Sequence, residues 1–423
     1  MTATNAMLFL VWLRVPALAC CVFSIAAGFH AVAARATEPV IVLYTHDEEV
    51  GSDILQENPA VETVRCIFGR LGRRVDIRRA PRLRNRGLLL STQIDGIFPN
   101  LPDAELNAKA VASEPFVLER WSYIQLRSSS NQARPRNEIV GTVLGSNESR
   151  FLSQQGARVF DAIPSMESLV RLLVSSRVPY VMVDDWSFGE EAASLGHSPE
   201  LFRSAIVRYV PLQVYFSKPF AEANPGLVSS FNESIQDCVH GGRRVTAWER
   251  EVLWTEVQRI ISKRLEEIAA RVEQHQWLER LDPFLPRQDA LSGADRDWQE
   301  SLSQDRLNTL MEAVLSNPMS DLLRGIAAEN PMVTEIFVTN DEGFVIGLNR
   351  LTSDFWQGDE DAAQALLVGR AFRHFSDFEY DRSTRRFQVK LSLPVHGSGG
   401  HSSPIGMVTI GLDAARLLVG RVH

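Results

Sequence analysis

The 423-residue chain has an ordinary globular composition, with 45% hydrophobic and 23% charged residues, which excludes a disordered or fibrous protein. Its length allows two or three domains. The formal net charge of −8 gives no support for nucleic-acid binding, and the sequence contains no metal-binding set of Cys and His residues. We therefore predict no nucleic-acid partner, no metal site and no cofactor.

The first 36 residues form an apolar leader. Leu8–Leu13 and Val15–Phe29 are almost wholly apolar. Ala34-Arg35-Ala36 fits the small-x-small rule for signal peptidase, which predicts cleavage after Ala36 and export to the periplasm. Because no basic residue precedes Leu8, an uncleaved N-terminal membrane anchor is the alternative.

Two cysteines follow the leader, Cys66 and Cys238. In an oxidising compartment they can pair, and the disulfide would close a long loop, which contributes ~4–5 kcal/mol in the chain-entropy model. The alternative is a pair of buried free thiols. The sequence leaves both possibilities open.

The residues after the leader alternate between strand and helix patterns. Pro39–Tyr44 is a continuous apolar run, as expected of a buried parallel strand. Val61–Leu71 has its apolar residues at helical spacing, and Arg74–Ile77 begins another strand pattern. This alternation predicts a doubly wound α/β architecture.

Several motifs extend this pattern. They are Ile94-Asp95-Gly96, Ser113-Glu114-Pro115-Phe116, EIVGTVLGSNESRFL and YVPLQVYFSKPFAEANPGLVSSFNESIQDC. In this order and spacing the segment resembles the family-three extracellular solute-binding proteins, which have the type II periplasmic binding fold. The resemblance implies a domain over residues 37–245 with two lobes, about 38–124 with 212–245 and about 125–211, joined by crossing strands near Ser122–Arg127 and Val210–Phe216.

The same resemblance implies a ligand cleft at the carboxyl ends of the strands. Val143–Glu148 places a glycine turn and polar residues at the start of a helix whose free N–H groups suit an anion. Asp184 and Asp185 end a strand where the family's amino-acid binders hold an ammonium group. Tyr44 and Trp121 either wall the cleft or belong to the core, and Asp184 is either a ligand contact or a solvated strand-end acid. The candidate ligand contacts are Tyr44, Arg82, Asn100, Trp121, Ser146, Asn147, Asp184 and Asp185.

One departure from the family pattern concerns the ligand. Amino-acid binders of the family carry an arginine in the loop before the Ser113–Phe116 motif, where it grips the α-carboxylate. Here that loop, Pro102–Asn107, has no arginine. Either the ligand is not a simple α-amino acid or another arginine, such as Arg82, replaces the missing one.

Residues 246–297 are predicted to form a helical connector. Thr246 and Glu249 fit a capping box, and the apolar spacing from Val252 to Val272 predicts one helix of ~30 residues, ~45 Å long. Its apolar stripe either docks on the first domain or serves as a dimerising or signal-conducting helix. Gln288–Asp297 is predicted to be a polar linker, followed by helical regions at Trp298–Leu315 and Ser320–Ala328.

Strand patterns dominate the last quarter of the chain, at Glu335–Thr339, Phe344–Leu348, Phe387–Pro394 and Ile405–Asp413. Asn340-Asp341-Glu342-Gly343 joins the first two as a hairpin turn. The segment resembles the PAS-like extracellular sensor modules called Cache domains. The resemblance implies an α+β module over residues 298–423 with an antiparallel sheet.

In PAS-like sheets the ligand lies between the sheet and the long connection over it, which here is Thr352–Glu360. Phe355 and Trp356 either cover such a site or simply fill a small core. The candidate ligand contacts of this module are Asp354, Trp356, Arg370 and Arg373.

Together these patterns predict a periplasmic small-molecule-binding sensory protein that is not an enzyme. Its ligand would be polar, amino-acid-like or an organic acid, and its signal would pass to a separate membrane partner: a sensor histidine kinase, a cyclic-dinucleotide enzyme or a chemoreceptor. The alternative is a receptor that delivers amino acids or related polar solutes to an ABC permease. A periplasmic dehydratase-like enzyme is a lesser alternative, since no Ser-His-Asp, Cys-His or metal constellation is evident.

Overall fold

The computed structural model describes residues 39–46, 59–129, 134–135, 137–239, 243–274, 287–398 and 403–417, with backbone only for 287–291. The predicted leader, its cleavage site after Ala36 and the alternative anchor lie outside the described residues. Within the described part of the chain, no helix is long and apolar enough to cross a membrane.

A first sheet defines lobe I. β1 is parallel to β2 and β3, while β3 and β4 are antiparallel to the last part of β9. Its strands are β1 (Ile41–His46), β2 (Val75–Ala80), β3 (Gly96–Asn100) and β4 (Ala110–Ala112). Its helices are α1 (Pro59–Arg70), α2 (Arg82–Leu90), α3 (Ala104–Lys109), α7 (Lys218–Ala223) and α8 (Leu227–Cys238).

A second sheet defines lobe II. β6 is parallel to β7 and β8, β8 is antiparallel to β5, and β5 pairs along its whole length with β9. The strands are β5 (Val117–Leu126), β6 (Val140–Val143), β7 (Val159–Ile163), β8 (Tyr180–Asp184) and β9 (Phe202–Ser217). The helices are α4 (Asn147–Gln154), α5 (Met166–Val174) and α6 (Asp185–Ser194).

The long strand β9 passes from one lobe into the other. It pairs with β5 in lobe II and with β3 and β4 in lobe I, so the strand order is continuous: β2-β1-β3-β9-β5-β8-β6-β7. The predicted α/β architecture of two lobes joined by crossing strands is therefore confirmed. Both crossing strands are longer than predicted and begin earlier in the chain.

The connector differs from the prediction. α9 (Ala247–Ile261) ends before a turn at Ser262–Arg264, and α10 (Leu265–Glu273) follows, so the expectation of one continuous helix is wrong. Residues of both helices pack in one hydrophobic core with the second half of the chain. The predicted capping box of Thr246 and Glu249 is present at the start of α9.

The apolar stripe of the connector is buried within the molecule. Leu253, Val257 and Ile268 belong to one hydrophobic core that also contains Phe231 of α8 and Ile410 of the second half. The interpretation of this stripe as a dimerising surface is therefore wrong. The core that absorbs it is shared by lobe I and the C-terminal sheet.

The predicted polar linker at Gln288–Asp297 is also wrong. α11 covers Arg287–Ser303, and Trp298 on it is fully buried against Phe355, with ring centroids 5.5 Å apart. The amphipathic period is weak here because, between residues 292 and 303, the helix buries only Trp298 and Ser301. α12 (Thr309–Leu315) and α13 (Pro318–Glu329) follow as separate helices.

The C-terminal sheet is antiparallel throughout, as predicted, with the order β11-β10-β15-β14-β12 and β13 paired to β14. At the β10–β11 hairpin Gly343 has a φ of +86°, and a Cβ there would lie 2.5 Å from the Cα of Gly358. Only glycine fits such a turn. The strands are β10 (Val333–Asn340), β11 (Val345–Leu348), β12 (His374–Phe375), β13 (Glu379–Asp381), β14 (Arg386–Val395) and β15 (Gly406–Asp413), and α14 (Asp361–Ala363) continues into a π-turn over Gln364–Val368.

A disulfide joins Cys66 of α1 to Cys238 of α8, with a Cα–Cα distance of 5.6 Å. This decides between the two possibilities that the sequence leaves open. The bond ties together two helices of lobe I, and α8 in turn contacts the C-terminal sheet through the same core.

Candidate functional site

The two residues predicted to bind an anion at the start of α4 are both buried, and they differ in their hydrogen bonds: Ser146 is engaged in the helix cap, whereas the Nδ2 of Asn147 has no hydrogen-bond partner among the described residues. The Ser146 hydroxyl caps the helix by accepting the N–H of Ser149 at 3.1 Å, and Asn147 is buried in the first turn beside the acidic Glu148. The start of α4 is therefore already capped by the Ser146 hydroxyl and carries the Glu148 carboxylate in its first turn. The prediction that Ser146 and Asn147 contact a ligand stays untested.

The two lobes are in direct contact across the cleft. Asp103, the N-cap of α3 in lobe I, lies 3.0 Å from Arg86 of its own lobe and 2.9 Å from Arg150 of lobe II. Although burial alone would raise the pKa of Asp103, the bond from Arg86 and the N–H of Leu106 lower it below its usual value. The carboxylate of Asp103, which belongs to the arginine-free loop Pro102–Asn107, thus pairs with two arginines at the cleft.

Tyr44, Arg82, Asn100 and Trp121 lie on four different elements, β1, α2, β3 and β5. Arg82 donates to the carbonyl of Pro99 at 3.2 Å and lies 3.0 Å from Nε2 of His46. Asn100 ends β3, and Tyr44 in β1 packs on the core beneath α2. Trp121 is fully buried, which supports the alternative that it is a core residue.

Glu119 lies beside Trp121 and accepts its indole N–H at 2.8 Å. Burial, with the nearby carboxylates of Asp184 and Glu148, raises the pKa of Glu119 well above its usual value. The folded protein therefore favours the neutral acid at this position.

Replacing Glu119 with glutamine is expected to stabilise the protein at neutral pH. Because the pKa of Glu119 is higher in the folded state, ionisation of its carboxyl makes the folded protein less stable as the pH rises above the unfolded-state pKa of ~4.3. The stability gained with glutamine should therefore reach at least ~1 kcal/mol at pH 7 and vanish near pH 4. Urea unfolding of Glu119→Gln and the native chain at both values checks this. An equal difference at the two pH values would show that Glu119 is not the titrating group.

Asp184 and Asp185 join an ion-pair network at the junction of lobe II with α9. Asp184 caps α6 and accepts the backbone N–H of Arg120 at 2.9 Å. Asp185 lies 2.5 Å from Arg120 and 3.1 Å from Arg243, and Arg120 also lies 3.0 Å from Glu249. Asp184 also lies 3.7 Å from Arg243, so both aspartates have cationic partners within the protein. Their role in binding an ammonium group stays a prediction.

A large cavity lies elsewhere, between α8 and the C-terminal sheet, with a volume of about 1030 Å³. We call it the inter-module cavity. α8 contributes Glu233, Gln236 and Asp237, and α11 contributes Gln299, Leu302 and Ser303. The remaining walls are the sheet face with Phe337, Gln388, Lys390, Ser392, Met407 and Thr409, and two covering segments, 351–362 and 374–383.

A polar cluster lies on the sheet face of this cavity. Lys390 is 3.1 Å from Glu335 and 3.9 Å from Asp381, and the Gln388 amide donates to the same two carboxylates at 2.6 and 2.9 Å. Burial alone would lower the pKa of Lys390, but these carboxylates outweigh it and raise the pKa above its usual value. Ser392 and Thr409 share a hydrogen bond of 2.8 Å beside the cluster.

The second covering segment has two distinct faces. Asp377, Glu379 and Asp381 line the cavity, while Phe378 is buried on the opposite side. The Phe378 ring packs on Tyr209 of the crossing strand β9 at 4.4 Å between centroids, and its backbone exchanges two hydrogen bonds with Arg243, 2.9 and 3.1 Å long. Arg243 is the residue that pairs with Asp185, so this segment connects the cavity wall to the ion-pair network.

The four residues predicted for this module do not line the described cavity. Asp354 bonds to Ser353 and Gln357 within the loop, and Trp356 donates its indole N–H to the Glu342 carbonyl at 3.0 Å. Arg373 lies over Trp254 at 4.9 Å from its ring centre, and Arg370 is exposed with a φ of +55°. The predicted loop does cover the cavity, but through Thr352, Ser353, Gln357 and Glu360.

Sequence reasoning missed the second covering segment and the contribution of α8. The sequence Asp377-Phe378-Glu379-Tyr380-Asp381 alternates acidic and aromatic residues, which with period two places three carboxylates on one face. This alternation can be seen in the sequence. The position of α8 beside the cavity cannot, because it depends on packing between segments more than 130 residues apart. Arg382 and Asp237, for example, lie 3.2 Å apart and are separated by 145 residues in the sequence.

No family model and no curated protein matches this sequence. Among solved structures it is similar to the GluR0 ligand-binding core from Nostoc punctiforme in complex with L-glutamate, at 13% identity and a TM-score of 0.39, over 47% of this chain and 94% of that one. It is also similar to a histidine kinase sensor domain with similarity to periplasmic binding proteins, at 16% identity and a TM-score of 0.41, over 53% and 96%. A third similar structure is an ancestral arginine-binding protein bound to arginine, at 14% identity and a TM-score of 0.39, over 48% of this chain and 95% of that one.

Proposed function

We propose that this chain is an exported small-molecule sensor that binds its ligand in the inter-module cavity. The carrying observation is the segment 374–383, which lines the cavity on one face and packs on the crossing strand β9 through Phe378 on the other. A ligand that contacts this segment can therefore alter the packing of Phe378 on β9, the strand that joins the two lobes. The disulfide supports export, because such bonds persist in oxidising compartments.

Signalling then follows from a shift between two arrangements of the lobes. A ligand shifts such an equilibrium only by its differential affinity for the two states. Here the contacts that would differ between the two states lie in the second covering segment, 374–383, and in α8. The helix α8 belongs to lobe I and supplies Glu233 to the cavity. The changed arrangement is presented to a membrane partner, for which a sensor histidine kinase, a cyclic-dinucleotide enzyme or a chemoreceptor is proposed.

A receptor for an ABC permease would bind its solute between the lobes instead. In this structure the arginines at that cleft are paired to Asp103, and Leu83 of lobe I lies against Gly145 of lobe II, 3.4 Å from where a Cβ would be. A ligand there must displace these contacts. The cleft therefore supports the importer less well than the cavity supports the sensor.

Blocking each site in turn separates the two functions. Ala362→Trp places a large side chain in the cavity wall, Leu83→Trp fills the cleft, and the exposed Ala193→Trp is the matched control. A ligand found by thermal-shift screening at 100 times its dissociation constant adds ~2.7 kcal/mol of stability. We expect Ala362→Trp alone to abolish that shift. Loss in Leu83→Trp alone would instead favour the importer.

A further inference from the structure

The walls of the inter-module cavity carry an excess of negative charge. The described residues that line it include seven carboxylates and two permanent cations, Lys390 and Arg382. Burial lowers the pKa of His374, so this wall residue favours its neutral form. The seven carboxylates are those of Glu233, Asp237, Glu360, Asp361, Asp377, Glu379 and Asp381.

Both cations are already engaged. Lys390 is held by Glu335 and Asp381, and Arg382 lies 3.2 Å from Asp237. Within the part of the chain that the structure describes, five wall carboxylates have no ion-pair partner: Glu233, Glu360, Asp361, Asp377 and Glu379. Among the described residues, the carboxylates of the cavity wall thus outnumber the cations that pair with them.

Two of these carboxylates have a raised pKa, and burial is the main cause in both. The neighbouring Asp354, Asp359 and Asp361 add to the increase in the pKa of Glu360, while Lys390 opposes it. Asp377 and Asp381 likewise add to the increase in the pKa of Glu379, and Lys390 opposes it. Like charges disfavour the ionised form, and a bound cation would relieve this repulsion.

We propose that the inter-module cavity binds an extended organic cation with two or more separated amino groups. This rests on the proposed function, in which the cavity is the ligand site. The unpaired carboxylates come from three separate elements, namely α8, the end of the first covering segment and the second covering segment. Amino groups spaced along a carbon chain match such dispersed charges. Leu302, Phe337 and Met407 supply apolar surface for the chain between them.

Spermidine is the probe for this proposal, with putrescine, glutarate and a neutral sugar as comparators. Titration calorimetry of the full exported chain should detect spermidine and putrescine but neither glutarate nor the sugar. Mg²⁺ at equal charge tests whether any cation suffices. Displacement of spermidine by Mg²⁺ at equal charge concentration would overturn the claim that an extended organic cation is preferred.

Charge-neutral variants locate the bound amine. Glu360→Gln and Glu379→Gln should each raise the dissociation constant for spermidine roughly three- to tenfold, since each removes one charge-assisted contact. Glu266→Gln, an exposed residue of α10 outside the cavity, makes the same charge change and should leave the constant unaltered. Equal weakening by all three variants would show non-specific attraction to an acidic surface and overturn the proposal.

The two proposals fail in different ways. Binding of glutarate or the sugar that Ala362→Trp abolishes would overturn the amine proposal and leave the cavity as the ligand site. Spermidine binding that persists in Ala362→Trp would place the ligand outside the cavity and overturn both. If spermidine fails to bind at millimolar concentration, the amine proposal is wrong.

Discussion

Replacing Arg120 with methionine is expected to lower the free energy of unfolding by about 3–5 kcal/mol. Arg120 is largely buried, with 18% of its side chain exposed, and it contacts both Asp185 and Glu249. Glu249 is itself 3% exposed, caps α9 and accepts a hydrogen bond from Tyr209. Removing the cation leaves two nearly buried carboxylates with one cationic partner fewer.

Urea denaturation at neutral pH measures this effect. Arg171→Met is the matched control, because Arg171 is 63% exposed and pairs with Glu167 one helical turn away on the surface. A pair of this kind contributes about 0.3–0.5 kcal/mol. A loss below ~1 kcal/mol for Arg120→Met would show that the network contributes little to holding lobe II against α9.

The disulfide variant Cys66→Ser with Cys238→Ser should lose about 2–5 kcal/mol of stability. The bond closes a loop across 172 positions of sequence, and the stabilisation in the chain-entropy model increases with loop length. Cross-linking α1 to α8 also restrains the helix that supplies Glu233 and Asp237 to the cavity.

Thermal unfolding with and without dithiothreitol checks this prediction. The reductant should lower the melting temperature of the native chain to that of the double variant and leave the variant unchanged. If native and variant chains melt together under oxidising conditions, the two cysteines do not form a stabilising bond.

The sequence predicts those parts of the fold in which local pattern and tertiary environment agree. The continuous apolar run of β1 and the hairpin turn at Asn340–Gly343 are of this kind, and both are confirmed. The connector fails for the opposite reason. Its apolar period resumes in register after Ser262–Arg264, yet the chain turns there, and both helices pack on the core shared with the C-terminal sheet.

The candidate site is less predictable than the fold. The loop at Thr352–Glu360 does cover the cavity, since a long polar connection over an antiparallel sheet can be read from the sequence alone. Which side chains of this loop line the cavity cannot be predicted from the sequence, because Trp356 and Asp354 form hydrogen bonds near their own loop instead. The α8 wall depends on the shared core, which no local pattern specifies.

Hydrogen exchange of the full chain, measured with and without spermidine, tests the central claim most directly. A ligand in the inter-module cavity should protect amides in residues 374–381 and also in the β9 segment around Tyr209, to which Phe378 is packed. Residues 145–150 at the cleft should exchange at unchanged rates. Protection confined to residues 145–150 and 100–107, with none at 374–381, would contradict the account and place the ligand between the lobes.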